Sequence, residues 1–564
     1  MRKKAPIAML ALLVVALLLS SVGGCQRSTE LGLSVLAGEA KVRTLYGVVK
    51  GRVFNQDILV WKGIPYAKPP IGELRWKAPR DPDPWTGIRD ADDFGSEATQ
   101  YDLSGSVKGS EDCLYLNIWR PQSDEKNLPV YFWIHGGGNS MGAASEEGYD
   151  GVNLAGKCNM VVVTVNYRLG PLGWFTCDAL RSDEPGAELD NSGNYGTLDL
   201  IKALTWVKDN IAAFGGDPSR VTVAGESAGA INIFSLLISP QAAGLFHGAI
   251  AQSGMPIAVS VQDGEESARE VILKLLVADG TASDNVAAQE HLNQMSDEEV
   301  SMYLRSKTVG QLLGAYEPSE LGMISFPFIF EDGTVIPVTG FEALETGSYP
   351  NKVPMIIGSN KEETKLFLVF ASAHFSGNDE LYQKVASVTS DLWKAKGVDE
   401  VARKLRSHAE QPAVYVYQFL WGAADETGQS VIPNQWGFKL GACHAMDVPF
   451  FFGNWNFFDV LGSGIFTEGN RLGREALSAA MMAYVAQFVR AEDPSPDGSG
   501  LVEWTPWSND AGEPKCILLN ADLNTASIAM STVELTEGGV TSRIDAEVRQ
   551  VIDSFSEAMP FLVG

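Results

Sequence analysis

The chain has 564 residues, 45% hydrophobic and 20% charged, which excludes intrinsic disorder and supplies enough length for a large core without disulfide staples. Its 43 basic residues stand against 70 acidic ones, a net charge of −27 whose field repels phosphate backbones and anionic membrane surfaces. That balance excludes nucleic acid as a partner and disfavours highly anionic substrates.

In chain order the first feature is a targeting signal. Met1-Arg2-Lys3-Lys4 is a basic start, and Ala5 to Leu19 is an apolar run without a charge, too short for a comfortable membrane span. It ends in Ser20-Ser21-Val22-Gly23-Gly24-Cys25, which resembles a bacterial lipobox, in which the cysteine is acylated and becomes the new N-terminus. The expected organisation is a lipoprotein-type signal peptide over residues 1–24, a tether over 25–41 and one domain over 42–564. Contact with a membrane is expected only through a lipid anchor at Cys25. Gln26 in place of an Asp points to the outer membrane or cell surface of a Gram-negative host. Without acylation the protein would be periplasmic or secreted.

Three apolar runs, Val130 to Ile134, Val161 to Val165 and Val221 to Ala224, read as buried parallel strands. A helix is expected from about Gly196 to Phe214, and Gly215-Gly216-Asp217-Pro218 then breaks the chain. Charge-studded helical stretches at about 262–310 and 376–408 are long enough to cap the sheet, and another helix is expected from Arg474 to Arg490. Val353 to Gly358 reads as a further strand. This alternation predicts an α/β fold: a mostly parallel sheet with helices on both faces and helical cap insertions.

The chemistry concentrates in Gly225-Glu226-Ser227-Ala228-Gly229, a GxSxG directly after a strand and before a helix. A nucleophile elbow turns so sharply that side chains two residues either side of the serine would collide, and both positions are Gly. The second signal is His135-Gly136-Gly137-Gly138 after the strand ending at Ile134. Only glycine lets backbone N–H groups press against a substrate, so Gly137, Gly138 and Ala228 are the expected oxyanion-hole donors.

Serine needs a base, and six histidines are present. In this kind of elbow fold the order is Ser, then acid, then His, which eliminates His135. His247 follows the serine too soon, and His291 and His408 lie in polar helical stretches. His444, in a loop far downstream, is the preferred base, with His374 the weaker rival. The acid should follow the strand ending at Gly358, which leaves Glu362 and Glu363 open.

These residues together resemble the type-B carboxylesterase family, which includes cholinesterases and bacterial p-nitrobenzyl esterases. Ser110-Glu111-Asp112-Cys113-Leu114-Tyr115-Leu116-Asn117 is similar to one family signature. Phe214-Gly215-Gly216-Asp217-Pro218 through Gly229 is similar to another, and Asn166-Tyr167-Arg168-Leu169-Gly170-Pro171-Leu172-Gly173 fits between them. The resemblance runs colinearly from about 42 to 530 and implies an α/β-hydrolase fold. It implies an acid five residues past Gly358, hence Glu363, and supports His444. It also implies a supporting polar network of Glu226, Ser253 and Asp447. Two departures stand out. Ala98 occupies the place where the family has a cysteine partner for Cys113, and the stretch from Gln100 to Glu111 is too short for the loop that carries the choline-binding tryptophan.

The expected activity is hydrolysis of small carboxylic esters through an acyl-enzyme on Ser227. No Cys or His cluster has metal spacing, and no metal or organic cofactor is expected. The alternatives are an amidase, thioesterase or lipase on the same triad, or a surface binding module without turnover.

Overall fold

The computed structural model describes residues 33–36, 39–55, 57–319, 322–370, 375, 377–458, 464–495 and 498–554. The signal segment, Cys25 and His374 lie outside them. The three apolar runs occupy the middle of a fourteen-stranded sheet. Seven strands run parallel: β1 (Leu128–Ile134), β2 (Val161–Val165), β3 (Gly216–Glu226), β4 (Gly248–Gln252), β5 (Met355–Asn360), β6 (Val414–Phe419) and β7 (Cys516–Ala521). Their spatial order is β2-β1-β3-β4-β5-β6-β7. Antiparallel strands flank this block, with Tyr115–Pro121 against β2 and Ala526–Ser531 against β7.

Helices cover both faces because β1 is apolar on both. Phe132 and Ile134 belong to the core shared with Leu204, Trp206 and Phe234, which come from α1 (Tyr195–Asn210) and α2 (Ala228–Ile238). The alternate residues Tyr131 and Trp133 point the other way, into a core with Phe450, Phe452 and Phe488. Phe488 lies on the long helix Arg471–Ala491. Each fully buried aromatic of this size contributes roughly 1.5–3 kcal/mol relative to exposure. A continuous apolar run is what a strand covered on both faces requires.

Chain order decides where a site can form. From β1 the chain moves outward to β2 on one side and then returns to β3 on the other. The C-terminal ends of β1 and β3 therefore flank a crevice at a point where the strand order reverses, the usual ligand position in open α/β sheets. His135 to Gly138 follow β1, and Ser227 follows β3.

The structure shifts several expected boundaries. β3 begins at Gly216, inside the expected break, with a register irregularity between Gly216 and Val221. Gly215 (φ +83°) ends the preceding turn, so the break is one residue long and the strand resumes at once. β5 runs to Asn360, two residues beyond the expected end, because it stays paired with β6 as far as Phe419. The 262–310 stretch is three helices and the start of a fourth at Val309, the first of them α3 (Val261–Ala278). The 376–408 stretch contains α4 (Asp379–Lys394), a π turn at Ala395–Asp399 and a short helix, Glu400–Leu405.

Candidate active site

Ser227 sits at the elbow with φ 56° and ψ −122°, left-handed values that cost a non-glycine residue about 1–3 kcal/mol. The flanking glycines make this turn possible. A Cβ on Gly225 would stand 2.7 Å from the Ile134 carbonyl oxygen, and one on Gly229 would stand 2.1 Å from the same atom. The chain is thus held against the end of β1 as closely as backbone allows. The Ser227 N–H donates to the Gln252 carbonyl (2.8 Å) at the end of β4, and its own carbonyl accepts from Ile231 within α2.

The glycine loop lies beside the serine. A Cβ on Gly136 would come within 3.1 Å of Ser227 Cβ. Gly137 (φ +97°) and Gly138 (φ +61°) both have left-handed backbone, which turns successive N–H groups the same way. Among the described residues, the N–H groups of Gly137, Gly138 and Ala228 donate to no protein acceptor. Met323 packs over this loop, its sulfur 3.0 Å from a Cβ built on Gly138, and Ile324 N–H donates to Ser140 Oγ.

Across the crevice, two loops close on each other. His444 Nδ1 and Glu363 Oε2 are 2.6 Å apart. Glu363 is completely buried, and its other oxygen accepts from Ser253 Oγ (2.5 Å) and Asn360 N–H (2.6 Å). Backbone bonds join the loops, from His444 N–H to the Glu363 carbonyl (3.1 Å) and from Glu362 N–H to the Ala442 carbonyl (2.9 Å). Asn360 Nδ2 donates to the Cys443 carbonyl and to Asp447, and Tyr417 on β6 donates to the other Asp447 oxygen at 2.5 Å. Ser253 (φ 54°) and Ala445 (φ 63°) share the left-handed strain of Ser227.

The remaining imidazole nitrogen, Nε2, lies 3.0 Å from Glu226 Oε1. His444 therefore stands between two carboxylates in a site with almost no exposed surface. Burial alone would lower its pKa, but the charges of Glu226 and Glu363 outweigh that and raise it to about 10. Asp447 is pushed up to about 7, mainly by burial, with Glu226 and Glu363 adding repulsion. His135, buried and stacked on Tyr167, is pushed down to about 4 by burial.

Ser227, Glu363, His444 and the supporting Glu226, Ser253 and Asp447 thus converge on one crevice with Gly137, Gly138 and Ala228. Glu362 lies outside it, accepting from Ala442 N–H and pairing with the buried Lys365 (2.7 Å). His247 and His408 are engaged elsewhere, the latter through Nε2 with the Leu344 carbonyl. Sequence reasoning missed Phe367 and Trp393, whose rings lie 5.2 and 4.9 Å from the His444 ring. Nothing in a sequence marks a core aromatic as a neighbour of a particular histidine. The five described cysteines, Cys113 among them, are free and buried. No group of three or more possible metal ligands occurs among the described residues.

Comparison with known proteins shows the family. The profile of the carboxylesterase family matches residues 38–382 and 372–534. A para-nitrobenzyl esterase of Bacillus subtilis (strain 168) is 31% identical over 493 residues, covering 84% of this chain and 93% of its own. Carboxylesterase 1D of Rattus norvegicus is 32% identical over 521 residues, covering 84% and 88%. Among solved structures, a PNB esterase superposes with a TM-score of 0.68 at 28% identity over 90% of this chain and 99% of its own. A carboxylesterase of Geobacillus stearothermophilus gives 0.65 at 29% identity over 90% and 100%. The architecture is the α/β-hydrolase fold. The chain belongs to the carboxylesterase family and is a carboxylic-ester hydrolase.

Proposed function

We propose that the ester is cleaved through an acyl-enzyme on Ser227, with His444 as base, Glu363 as its orienting acid, and the N–H groups of Gly137, Gly138 and Ala228 as oxyanion hole. The observation that carries this reading is the buried 2.6 Å contact between His444 Nδ1 and Glu363, across the crevice from a serine on a strained elbow. Ser227 Oγ attacks the ester carbonyl carbon while its proton passes to His444 Nε2. The carbonyl oxygen becomes an oxyanion held by the three N–H groups, each contributing about 3 kcal/mol to lowering the barrier. Collapse breaks the C–O bond, and the leaving alcohol takes the proton from Nε2. Water repeats the sequence on the acyl-enzyme, again giving its proton to His444, and the carboxylic acid departs. Glu363 fixes the ring so that Nε2 carries the transferable lone pair. Glu226 competes with the serine for that nitrogen, so His444 must leave this carboxylate before it accepts the proton.

Hydrolysis of p-nitrophenyl esters of increasing acyl length, wild type beside Ser227→Ala, tests the mechanism. The variant should lose about 10⁵–10⁶-fold in kcat and keep the wild-type melting temperature. A folded variant that still turns over would overturn the serine mechanism, and the length profile defines the acyl preference. Activity on amides or thioesters and not esters would favour the alternatives.

Export with lipid attachment at Cys25 is also proposed, on the strength of the Ser20 to Cys25 motif. Labelled fatty acid should enter the wild type and not Cys25→Ala, and the variant should leave the membrane fraction. Equal membrane retention of both proteins would refute the anchor.

A further inference from the structure

His444 is gripped from the side as well as by its acid. α4 reaches the acid loop through Thr364, whose hydroxyl lies 2.7 Å from that of Thr389 and whose N–H donates to Ser390 Oγ (3.2 Å). One turn later Trp393 sets its ring against both His444 and Phe367, the latter stacked at 15°. The helix then widens into the π turn Ala395–Asp399. Lys394 and Asp399 stand five residues apart, the spacing that a π turn places on one face. The Lys394 ammonium contacts both Asp399 oxygens at 2.6 Å, and both side chains are almost wholly buried. Within the turn, Gly397 presses on the carbonyl of Gly254, to which a Cβ would come within 2.5 Å. Gly254 follows Ser253, the residue that donates to Glu363.

We propose that Trp393 is a positioning residue for His444, and that the buried Lys394–Asp399 pair holds it there by keeping the π turn open. In an ordinary α turn every residue after Lys394 would move by one position. The helix could then keep Trp393 on His444 or Gly397 on Gly254, but not both. A π turn at a functional site is a device of this kind. A buried ion pair is a poor source of stability, since replacing both partners by apolar residues is often neutral or stabilising. Asp399 Oδ2 also accepts from Leu535 N–H (2.7 Å), so the pair fixes local geometry at the turn and at that contact.

The inference rests on His444 being the base. The test compares Trp393→Ala, Trp393→Phe, the double variant Lys394→Met with Asp399→Leu, and His444→Ala, using p-nitrophenyl butyrate. kcat, KM, the pH profile of kcat/KM and the melting temperature are read for each. Trp393→Ala should lose at least about tenfold in kcat with KM within twofold, as a small misplacement of a reacting group does. Its acid limb should also move, and Trp393→Phe should recover most of both. The double variant should reproduce the kcat loss in its folded fraction, with the melting temperature lowered only by the lost Leu535 N–H acceptor. Wild-type kcat and pH profile in Trp393→Ala, with His444→Ala inactive, would overturn the positioning role alone. A kcat loss that only follows the folded fraction, with Phe no better than Ala, would overturn it too. Wild-type kcat in a folded double variant would overturn the part given to the ion pair. An active His444→Ala would instead overturn the base assignment on which the inference stands.

Discussion

The two walls of the crevice are built from different materials. The serine wall is backbone: two strand ends, a helix start and glycines packed to the limit of contact, with left-handed Ser227 between them. The wall proposed for acid and base is side chain: two carboxylates and an imidazole out of water, joined by hydrogen bonds from Ser253, Asn360 and Tyr417, with the Glu226 carboxylate reaching His444 from the serine elbow. Backbone geometry holds at any pH. Buried charges hold only in one protonation pattern, because each change of proton shifts the balance between desolvation and attraction. The first wall should fail to steric change and the second to charge change.

The largest effect on the acid–base wall should come from Glu363→Gln, which keeps the shape but leaves His444 Nδ1 facing an amide. A loss of about 10³–10⁴-fold in kcat is expected, the size seen when an orienting acid becomes an amide. Glu362→Gln should stay within a few-fold of wild type, because its carboxylate braces Ala442 and Lys365 rather than the imidazole. Steady-state kinetics on one ester decides, and a reversal of the two would move the acid to Glu362.

On the serine wall, Gly138→Ala adds a methyl group to a left-handed residue under the Met323 sulfur. About 10²-fold should be lost from kcat as one of the proposed oxyanion donors is displaced. The pH profile should not move. A shifted profile would mean that the two walls are coupled.

The smallest and most discriminating effect concerns Glu226. On the proposed mechanism His444 must be neutral to accept a proton, and its pKa is raised, so rate is lost as pH falls through the raised value. Glu226→Gln removes one of the two raising charges, so the acid limb of kcat/KM should move to lower pH by about one unit or more. The same raised pKa works oppositely on stability. Protonated His444 stabilises the fold fully below its unfolded pKa near 6.5, and that contribution disappears as pH rises through about 10. An unmoved limb in Glu226→Gln would show that the carboxylate does not govern this titration.

The same division explains what the sequence revealed. The serine wall was readable because its demands are local: at Gly225, Gly229, Gly136 and Gly137 a Cβ would collide with backbone, and Gly138 has a left-handed backbone. The choice of Glu363 over Glu362 was not readable from residues alone, since both follow the same strand, and it came from a resemblance. That Glu226 turns its carboxylate to His444 Nε2 depends on a chain separation of more than two hundred residues, which leaves no local trace. β6 was overlooked although Val414 to Phe419 is an unbroken buried run, because no flanking motif drew attention to it. The π turn leaves no signature either, for Lys394 and Asp399 look like two charges on a solvated helix.

Every described cysteine is a reduced, interior side chain, with Cys113 lacking the partner its relatives' pattern would supply at Ala98. Among the described residues, then, no covalent cross-link awaits a thiol oxidase or a disulfide isomerase. The described part of the chain is held by packing alone, so a reducing buffer should leave its melting temperature unchanged.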